Sequence, residues 1–238
     1  MTVKIGLISD VHAAAGPLQE ALRVFNEERV EAILCAGDIA GYGTQLEQTV
    51  ALLIKSGCRA IVGNHDLWHL SRAENENQFN GPIEGYLRSL YNTEKMAFAG
   101  KTLFMVHASP PDSLLHGIRL LDEQGALNKA QAADWSRGLK QVAYDALVVG
   151  HTHQVFAEQL GDVLVINPGS TLFNHTCAIL TLPAMEVRFI ALSGKQPLLS
   201  WNWGMLQGSR RVPVVSRDTA TPRRRRTPNR PGRLSRQT

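Results

Sequence analysis

The sequence Arg59-Ala-Ile-Val-Gly-Asn64-His65-Asp66 joins a short β-branched run to three side chains that can bind metals or move protons. Ile and Val favour a buried strand, and the glycine ends it abruptly. In α/β proteins a buried strand delivers the residues that follow it to the edge of the sheet, where sites are built. The stretch therefore predicts a strand over 60–62 that carries Asn64 and His65 to a functional site.

Other apolar, strand-like runs end in the same manner, with Asp or His close behind them. These runs cover residues 3–8, 32–36, 103–106 and 146–149. Residues i and i+2 of an extended segment project to one side, so a pair such as Asp10 and His12 can act together. The candidate ligands at the strand ends are Asp10, His12, Asp38, Asn64, His107, His151 and His153.

The order of the strand and helix patterns indicates a layered α/β domain. Pro17 suits the first turn of a helix after the first strand, and Thr44 with Glu47 forms a capping box for a helix through Ile54. Further helical patterns cover 67–73, 83–90 and 112–143, the last with a break at Gly125. Further strand patterns cover 163–166, 177–182 and 186–192. Strands follow one another late in the chain, which predicts a partly antiparallel second sheet.

The basic charge of the chain is confined to its C-terminal end. Residues 210–238 contain ten Arg and one Asp, whereas the whole chain has a net charge of only +4, so the remainder is mildly acidic. Beyond about Pro197 the apolar pattern fades and an Arg/Pro-rich sequence follows, which is typical of disorder. We predict a folded domain over 1–196 and a disordered basic tail over 197–238.

The cellular setting is predicted from the cysteines and from the apolar runs. Cys35, Cys58 and Cys177 are an odd, scattered set that indicates reduced core residues. No apolar run approaches the length of a membrane span, and a strand pattern begins directly after Met1, which leaves no room for a signal peptide. We expect a cytoplasmic protein.

The residue types at the strand ends define the chemistry. Carboxylates and imidazoles without thiolates suit borderline divalent ions such as Mn²⁺, Fe²⁺ or Zn²⁺. Two such ions bring four positive charges, of which Asp10, Asp38 and a bridging hydroxide cancel three. The amide of Asn64 can ligate without cancelling more. A site with this surplus positive charge attracts an anionic phosphate ester, and two neighbouring ions can activate its attack by hydroxide.

The motifs at the strand ends, taken in the order in which they occur, resemble those of the calcineurin-like metallophosphoesterase superfamily. The matching motifs are Asp10-x-His12, Gly37-Asp38, Gly63-Asn64-His65-Asp66, His107 and Gly150-His151-x-His153. The resemblance spans roughly residues 3–175 and implies a four-layer α/β/β/α sandwich of two mixed sheets. The later Asn167-Pro-Gly-Ser170 resembles the small prokaryotic phosphodiesterase branch.

The resemblance also implies a set of roles. One divalent cation would be held by Asp10, His12, Asp38 and His153, and the other by the bridging Asp38, Asn64, His107 and His151. Manganese is the first expectation, with iron, nickel, zinc and magnesium as alternatives. His65 would contact the substrate phosphate and protonate the leaving group. The implied reaction is hydrolysis of a small-molecule or nucleotide phosphoester by a metal-bridged hydroxide.

Two departures from the pattern narrow the function. Asp38 leads to Ile39-Ala-Gly-Tyr-Gly43, without the Asp and Arg that phosphoprotein phosphatases carry in this motif, so protein phosphatase activity is disfavoured. The residues after Ser170 read Thr171-Leu-Phe-Asn-His175 where the branch often has Pro-Arg, so no phosphate-gripping cation is identified. A phosphodiesterase is favoured over a phosphomonoesterase or dinucleoside polyphosphate hydrolase. The alternative of another class is a metal-binding scaffold for protein contacts without catalysis.

Several other residues have two readings. Asp66 is expected to be structural, and Tyr42 either contacts substrate or packs a turn. A pair of tryptophans, Trp201 and Trp203, either stacks bases or covers an apolar edge. The default for His69, His116 and His175 is a surface or loop role. The basic tail could bind nucleic acid nonspecifically, but a dispensable extension is favoured. The sequence leaves the oligomeric state open.

Overall fold

The computed structural model describes residues 1–76 and 81–201 of the chain. Within these ranges the helices are α1 (Ala15–Glu27), α2 (Leu46–Lys55), α3 (Asn64–Asn75), α4 (Pro82–Arg88) and α5 (Lys129–Gly138). The strands are β1 (Val3–Ile8), β2 (Ala32–Cys35), β3 (Arg59–Ala60), β4 (Thr93–Phe98), β5 (Lys101–Val106), β6 (Ala146–Val148), β7 (Val155–Leu160), β8 (Val163–Pro168), β9 (Thr176–Leu182) and β10 (Glu186–Ala191). Trp203 and the tail from residue 202 lie outside the described residues.

The strands form two five-stranded sheets, with the orders β10-β9-β1-β2-β3 and β4-β5-β6-β8-β7. In each sheet the three site-bearing strands run parallel: β1, β2 and β3 in one, and β5, β6 and β8 in the other. The remaining strands, β9, β10, β4 and β7, pair antiparallel with their neighbours. The prediction of two mixed sheets is confirmed, and antiparallel pairs occur in the first sheet as well as in the second.

The sheets face each other across one apolar core, and helices cover their outer faces. Ile5 and Leu7 of β1 point between the sheets, where they pack with Leu103 of β5. Ile8 points to the other side, against Leu18 and Phe25 of α1. The second sheet has a separate core toward α5 on its own outer face. This alternation along a strand produces the four predicted layers.

The helix after β2 begins later than its sequence pattern predicts. The predicted capping box of Thr44 and Glu47 is wrong, because α2 begins at Leu46 with Gln45 as its N-cap and no side-chain cap. The amides of Gly43 and Gln45 donate to the carbonyls of His12 (2.8 Å) and Ala13 (3.0 Å). These tertiary bonds hold the segment to the loop after β1, so the helix starts beyond it.

Most of the helical pattern over 112–143 is also wrong, because only Lys129–Gly138 is helical. Before it, the Gln154 side chain accepts from the amides of Leu120 (2.8 Å) and Leu121 (3.0 Å). The Asp122 carboxylate accepts from two further amides of the same loop. Side chains thus satisfy backbone groups that a helix would have paired internally.

The edge strands β4 and β7 carry no clear sequence signal and were not predicted. Each forms a hairpin with a stronger neighbour, β4 with β5 and β7 with β8. Pairing with these neighbours stabilises β4 and β7 as strands, although the residue patterns of the two segments do not predict strands. In the part of the chain that the structure describes, no helix is sufficiently long and apolar to cross a bilayer.

Candidate metal centre

The parallel strands of both sheets deliver their C-terminal ends to one place. Loops after β1, β2 and β3 come from one sheet, and loops after β5 and β6 come from the other. The segment 150–153 closes the arrangement, because the Gly150 amide donates to the His107 carbonyl (2.8 Å) and the His151 amide donates to the Asp10 carboxylate (3.0 Å). The structure brings all eight predicted site residues together here.

The backbone of the candidate ligands is unusual. Five of them have φ between 49° and 64°, in the left-handed region that non-glycine residues rarely adopt: Asp10, His12, Asp38, His151 and His153. Each such residue costs on the order of 1 kcal/mol or more, which the surrounding structure must offset. Backbone bonds from Asp10 to the Gly37 carbonyl (3.0 Å) and from His12 to the Asp38 carbonyl (2.9 Å) hold two of them. Strain concentrated in this way is typical of a functional site.

One group of donors comprises Asp10, His12 and His153, all buried. The His153 Nε2 atom lies 3.3 Å from Asp10 Oδ1 and 3.1 Å from His12 Nε2. The Nδ1 atom of His12 lies 3.2 Å from the carbonyl oxygen of Ala40. Because a carbonyl can only accept, Nδ1 carries the hydrogen, and the lone pair of Nε2 points into the group.

A second group comprises Asp38, His107 and His151, with Asn64 between the two imidazoles. The Asn64 Oδ1 atom lies 3.1 Å from His107 Nε2 and 2.9 Å from His151 Nδ1. Rotation of the Asn64 side-chain amide would place its nitrogen beside the same two rings, where it could donate to His151 Nδ1 and His107 Nε2. The orientation of the amide therefore depends on whether these ring nitrogens or a cation are its partners. The His107 Nδ1 atom meets the Ala36 carbonyl at 2.7 Å, so Nδ1 carries a hydrogen and Nε2 is the nitrogen that faces inward.

The two groups are adjacent. His12 and Asp38 also form a group with His65, and in each group the ligand atoms lie within 4.8 Å of one another. The three groups therefore form a chain in which neighbours share either His12 or Asp38. Asp38 therefore lies in the middle group and in the group of His107 and His151, next to His12 of the other end group.

Burial and charge act against each other at the carboxylates. Burial would raise the pKa of Asp10, but the imidazoles of His153, His107 and His12 hold it well below its usual range. Burial likewise opposes ionisation of Asp38, and His107 lowers its pKa overall. Both carboxylates are therefore ionised and buried at neutral pH. Buried carboxylates require a cation or hydrogen bonds to offset their desolvation.

Burial and the nearby carboxylates also shift the pKa values of the imidazoles. Burial lowers the pKa of His12 to about 4, so its ring is neutral at pH 7. Burial would also lower the pKa of His107, but the Asp38 carboxylate raises it to about 9. A divalent cation can take the place of that proton, since metal ligands bind in their deprotonated form. The donor set therefore fits divalent metals.

His65 lies at the mouth of the centre and is half-buried. Its amide donates to Asp38 Oδ1 (2.8 Å), and its Nε2 atom lies 3.1 Å from the Tyr42 hydroxyl. The rings of His12 and Trp68 flank it, with centroids at 4.9 and 4.6 Å. Burial is the main cause that lowers the pKa of His65. Its ring can thus reach a molecule that approaches the candidate ligands.

The residue after His65 supports the loops rather than facing the site. The Asp66 carboxylate is buried and accepts from the amides of Ala40 (2.7 Å) and Gly63 (2.8 Å). This agrees with the structural reading of Asp66. Gly63 is required at its position, because a Cβ there would collide with the carboxylate of Asp38.

The segment Asn167–Ser170 holds the ligand loops in place. The Ser170 hydroxyl donates to the Asp10 carbonyl (2.6 Å), and the Asn167 amide donates to the Gly150 carbonyl (3.0 Å). Both side chains are fully buried. The motif therefore contacts the backbone of two ligand-bearing loops.

An aromatic stack behind His153 was not predicted. Phe173 stacks on the His153 ring (5.2 Å between centroids), and Trp201 stacks on Phe173 (4.2 Å). The Trp201 amide donates to the His153 carbonyl (3.1 Å), and Trp201 is buried against Phe173 and His153. In the sequence, the only signal for this stack is the aromatic residue Phe173, a few positions after the Asn167–Ser170 motif.

The other three histidines lie apart from the ligand groups. His69 meets Glu84 at 3.1 Å between α3 and α4. His116 is exposed in the loop before α5, and His175 lies in the turn before β9. Among the described residues, none of the three belongs to a group that could hold a metal.

The family follows from comparison with known proteins. Residues 3–185 match the calcineurin-like phosphoesterase superfamily domain, so the chain belongs to this family. It is a member of a metal-dependent class of phosphoester hydrolases, and the predicted family is confirmed.

Two curated relatives come from the archaeon Methanocaldococcus jannaschii. A phosphodiesterase is 27% identical over 70% of this chain and 83% of its own length. An uncharacterized protein is also 27% identical, over 44% of this chain and 49% of its own length. The chain thus spans about half of that second relative.

Solved structures share the fold. A hypothetical protein from Pyrococcus horikoshii has a TM-score of 0.65 at 18% identity, over 86% of this chain and 91% of its own. A metallophosphoesterase from Sphaerobacter thermophilus has a TM-score of 0.60 at 23% identity, over 80% and 88%. The predicted four-layer fold is confirmed.

Proposed function

We propose that this protein hydrolyses a phosphodiester with the help of two divalent cations. The observation that carries the proposal is the pair of largely buried donor groups, Asp10/His12/His153 and Asp38/His107/His151, which a middle group of His12, Asp38 and His65 links. Two cations in such a centre supply positive charge for the phosphoryl oxygens and lower the pKa of water at the site. The family membership supports the same class of reaction.

The chain's own residues have distinct roles in this proposal. One cation would be held by Asp10, His12, Asp38 and His153, and the other by Asp38, Asn64, His107 and His151. Carboxylate, amide and imidazole donors without thiolate suit manganese first, with iron, nickel, zinc and magnesium as alternatives. The hydrogen bonds from His12 to Ala40 and from His107 to Ala36 fix the tautomers that such binding needs.

His65 is the proposed general acid. It is half-buried at the mouth of the centre, and its amide bond to Asp38 keeps its backbone next to the candidate ligands. A proton delivered from its ring to the leaving oxygen would avoid the release of an unstable alkoxide. The need for this proton grows as the leaving alcohol becomes less acidic.

The diester preference rests on two observations. The curated archaeal relative that covers most of this chain is named a phosphodiesterase. In addition, the hydrogen bonds and ion pairs of the eight site residues include no Lys or Arg within the described ranges. A diester carries one negative charge and a monoester carries two, so a site without added cationic side chains suits the diester.

Hydrolysis of two aryl esters by chelator-stripped protein tests this function. Bis-p-nitrophenyl phosphate and p-nitrophenyl phosphate are offered after Mn²⁺, Fe²⁺, Ni²⁺, Zn²⁺ or Mg²⁺ is restored separately. Metal-dependent cleavage that favours the diester is expected. A preference for the monoester would assign a phosphomonoesterase instead. No turnover of either ester by protein that binds two metals would favour the scaffold alternative.

A further inference from the structure

Tyr42 lies in the loop between β2 and α2, and its hydroxyl is directed at the candidate centre. The hydroxyl lies 3.1 Å from His65 Nε2, and the ring lies 4.8 Å from the ring of His12. A tyrosine phenol, with an ordinary pKa of about 10, carries its hydrogen at neutral pH. Tyr42 thus presents a hydrogen-bond donor next to the ligand groups.

The loop around Tyr42 is built to hold this ring against the site. Gly41 has a φ of 145°, and a Cβ there would collide with the ring of His12. The Gly43 amide donates to the His12 carbonyl at 2.8 Å. Two glycines therefore let the loop pass close to His12 with Tyr42 between them, and side chains at either glycine would push the loop away.

Tyr42 also remains accessible to a ligand. The residue is 44% exposed, although its ring contacts His12, His65 and Phe173 (5.4 Å between ring centroids for Phe173). Packing of a turn requires only the ring of a tyrosine and does not require its hydroxyl to lie next to a candidate general acid, as the Tyr42 hydroxyl does. The aromatic neighbours of Tyr42 hold its ring, and its hydroxyl lies within hydrogen-bond distance of His65 Nε2.

A phosphoryl group needs hydrogen-bond donors in addition to cations, because its non-esterified oxygens are strong acceptors. The Tyr42 oxygen lies 3.1 Å from His65 Nε2, and when that nitrogen carries a hydrogen the phenol accepts it, which leaves the hydrogen of the phenol for a ligand. We propose that the Tyr42 hydroxyl donates a hydrogen bond to a non-esterified oxygen of the substrate's phosphoryl group, beside His65. This inference rests on the proposed phosphoesterase function and assigns the phosphate contact that the sequence leaves open.

The Tyr42→Phe variant tests this contact, because it removes the hydroxyl and keeps the ring. Tyr91→Phe is the matched control, since Tyr91 is 76% exposed and none of its described contacts involves the site. Three quantities are measured on manganese-loaded proteins: the bound metal content, the binding of inorganic phosphate by calorimetry, and kcat/KM for bis-p-nitrophenyl phosphate. Phosphate binding does not depend on turnover, so it separates this inference from the proposed function.

The expected result is full metal content in Tyr42→Phe, with phosphate binding and kcat/KM each reduced about tenfold or more, the usual loss for one hydrogen bond to a charged group. Tyr91→Phe should match the wild type. Unchanged phosphate binding in Tyr42→Phe would overturn the inference while leaving the function intact. Loss of metal from Tyr42→Phe would also overturn it, because Tyr42 would then support the ligands. Absence of turnover in the wild type would count against the proposed function alone.

Discussion

His12 and His153 place their Nε2 atoms 3.1 Å apart, although 141 positions separate them in the chain. The Nδ1 hydrogen of His12 is used by the Ala40 carbonyl, so the Nε2 lone pair of His12 faces the Nε2 atom of His153. Two imidazole nitrogens in this relation, next to the buried carboxylate of Asp10, form a group that could hold a cation.

Metal removal should lower the stability of the protein. Cations that bind only the native state raise its unfolding temperature by mass action, and here they would also neutralise the buried carboxylates of Asp10 and Asp38. We expect the Tm to fall by several degrees in chelator and to return when manganese is restored. Equal melting curves with and without manganese would contradict a metal site formed by these residues.

Asp38→Asn should release metal and abolish activity together. Asp38 belongs to two of the three donor groups and is the proposed bridge, so its replacement removes the charged ligand that both proposed cations would share. The matched control is Asp162→Asn, the same chemical change at an exposed turn between β7 and β8. Metal content by mass spectrometry and diester hydrolysis are measured in parallel. Full metal content in Asp38→Asn would show that Asp38 does not bridge the two cations.

His65→Ala should keep the metals and lose turnover selectively. If His65 protonates the leaving oxygen, the loss should be small for a nitrophenyl leaving group and about 100-fold or more for an alkyl leaving group. A series of diesters whose leaving alcohols differ in pKa provides the measurement. A variant that cleaves the alkyl ester at the wild-type rate would show that His65 is not the general acid.

Phe173→Ala should weaken one end of the centre. Phe173 packs between the His153 ring and Trp201, so its removal frees His153 to reorient. Loss of an outer partner of a metal ligand typically costs 10- to 100-fold in metal affinity. Calorimetric titration with manganese should show one weakened site out of two. Phe173→Leu retains apolar volume, so its manganese affinity should lie between those of Phe173→Ala and the wild type.

Asp145→Asn tests a pH effect on stability away from the site. The Asp145 carboxylate accepts from the Thr102 amide (2.8 Å) and from Lys101 Nζ (2.9 Å), and both bonds lower its pKa. A lowered folded-state pKa contributes stability above the unfolded value of about 3.9, and that stability disappears as the pH falls through the folded-state pKa.

The free energy of unfolding of Asp145→Asn should therefore fall at neutral pH. The group is partly exposed and screened by solvent, so the loss should be about 1 kcal/mol or less. The difference from the wild type should narrow as the pH falls below 4, as measured by urea denaturation. A difference that stays constant from pH 7 to pH 3 would contradict the assigned cause.

The fold was predictable where a residue pattern acts locally. Alternating apolar residues in Val3–Ile8, followed directly by Asp10, identify a buried strand whose end carries a polar group. The α2 boundary and the loop before α5 were not predictable, because they depend on partners distant in sequence. Gln154, for example, accepts from Leu120 and Leu121 only after β6 and the loop before α5 have come together.

The sequence by itself determined which chemical groups follow the strands: carboxylates, imidazoles and one amide, in the order of the family's motifs. Those identities are enough to indicate the class of protein, because strand ends in a layered sheet converge by topology. Only the tertiary structure decided which ring nitrogens carry hydrogens, through carbonyls such as Ala40 and Ala36. It also decided that Tyr42 faces His65. Such relations depend on atomic distances between separate loops, which residue types and spacing do not specify.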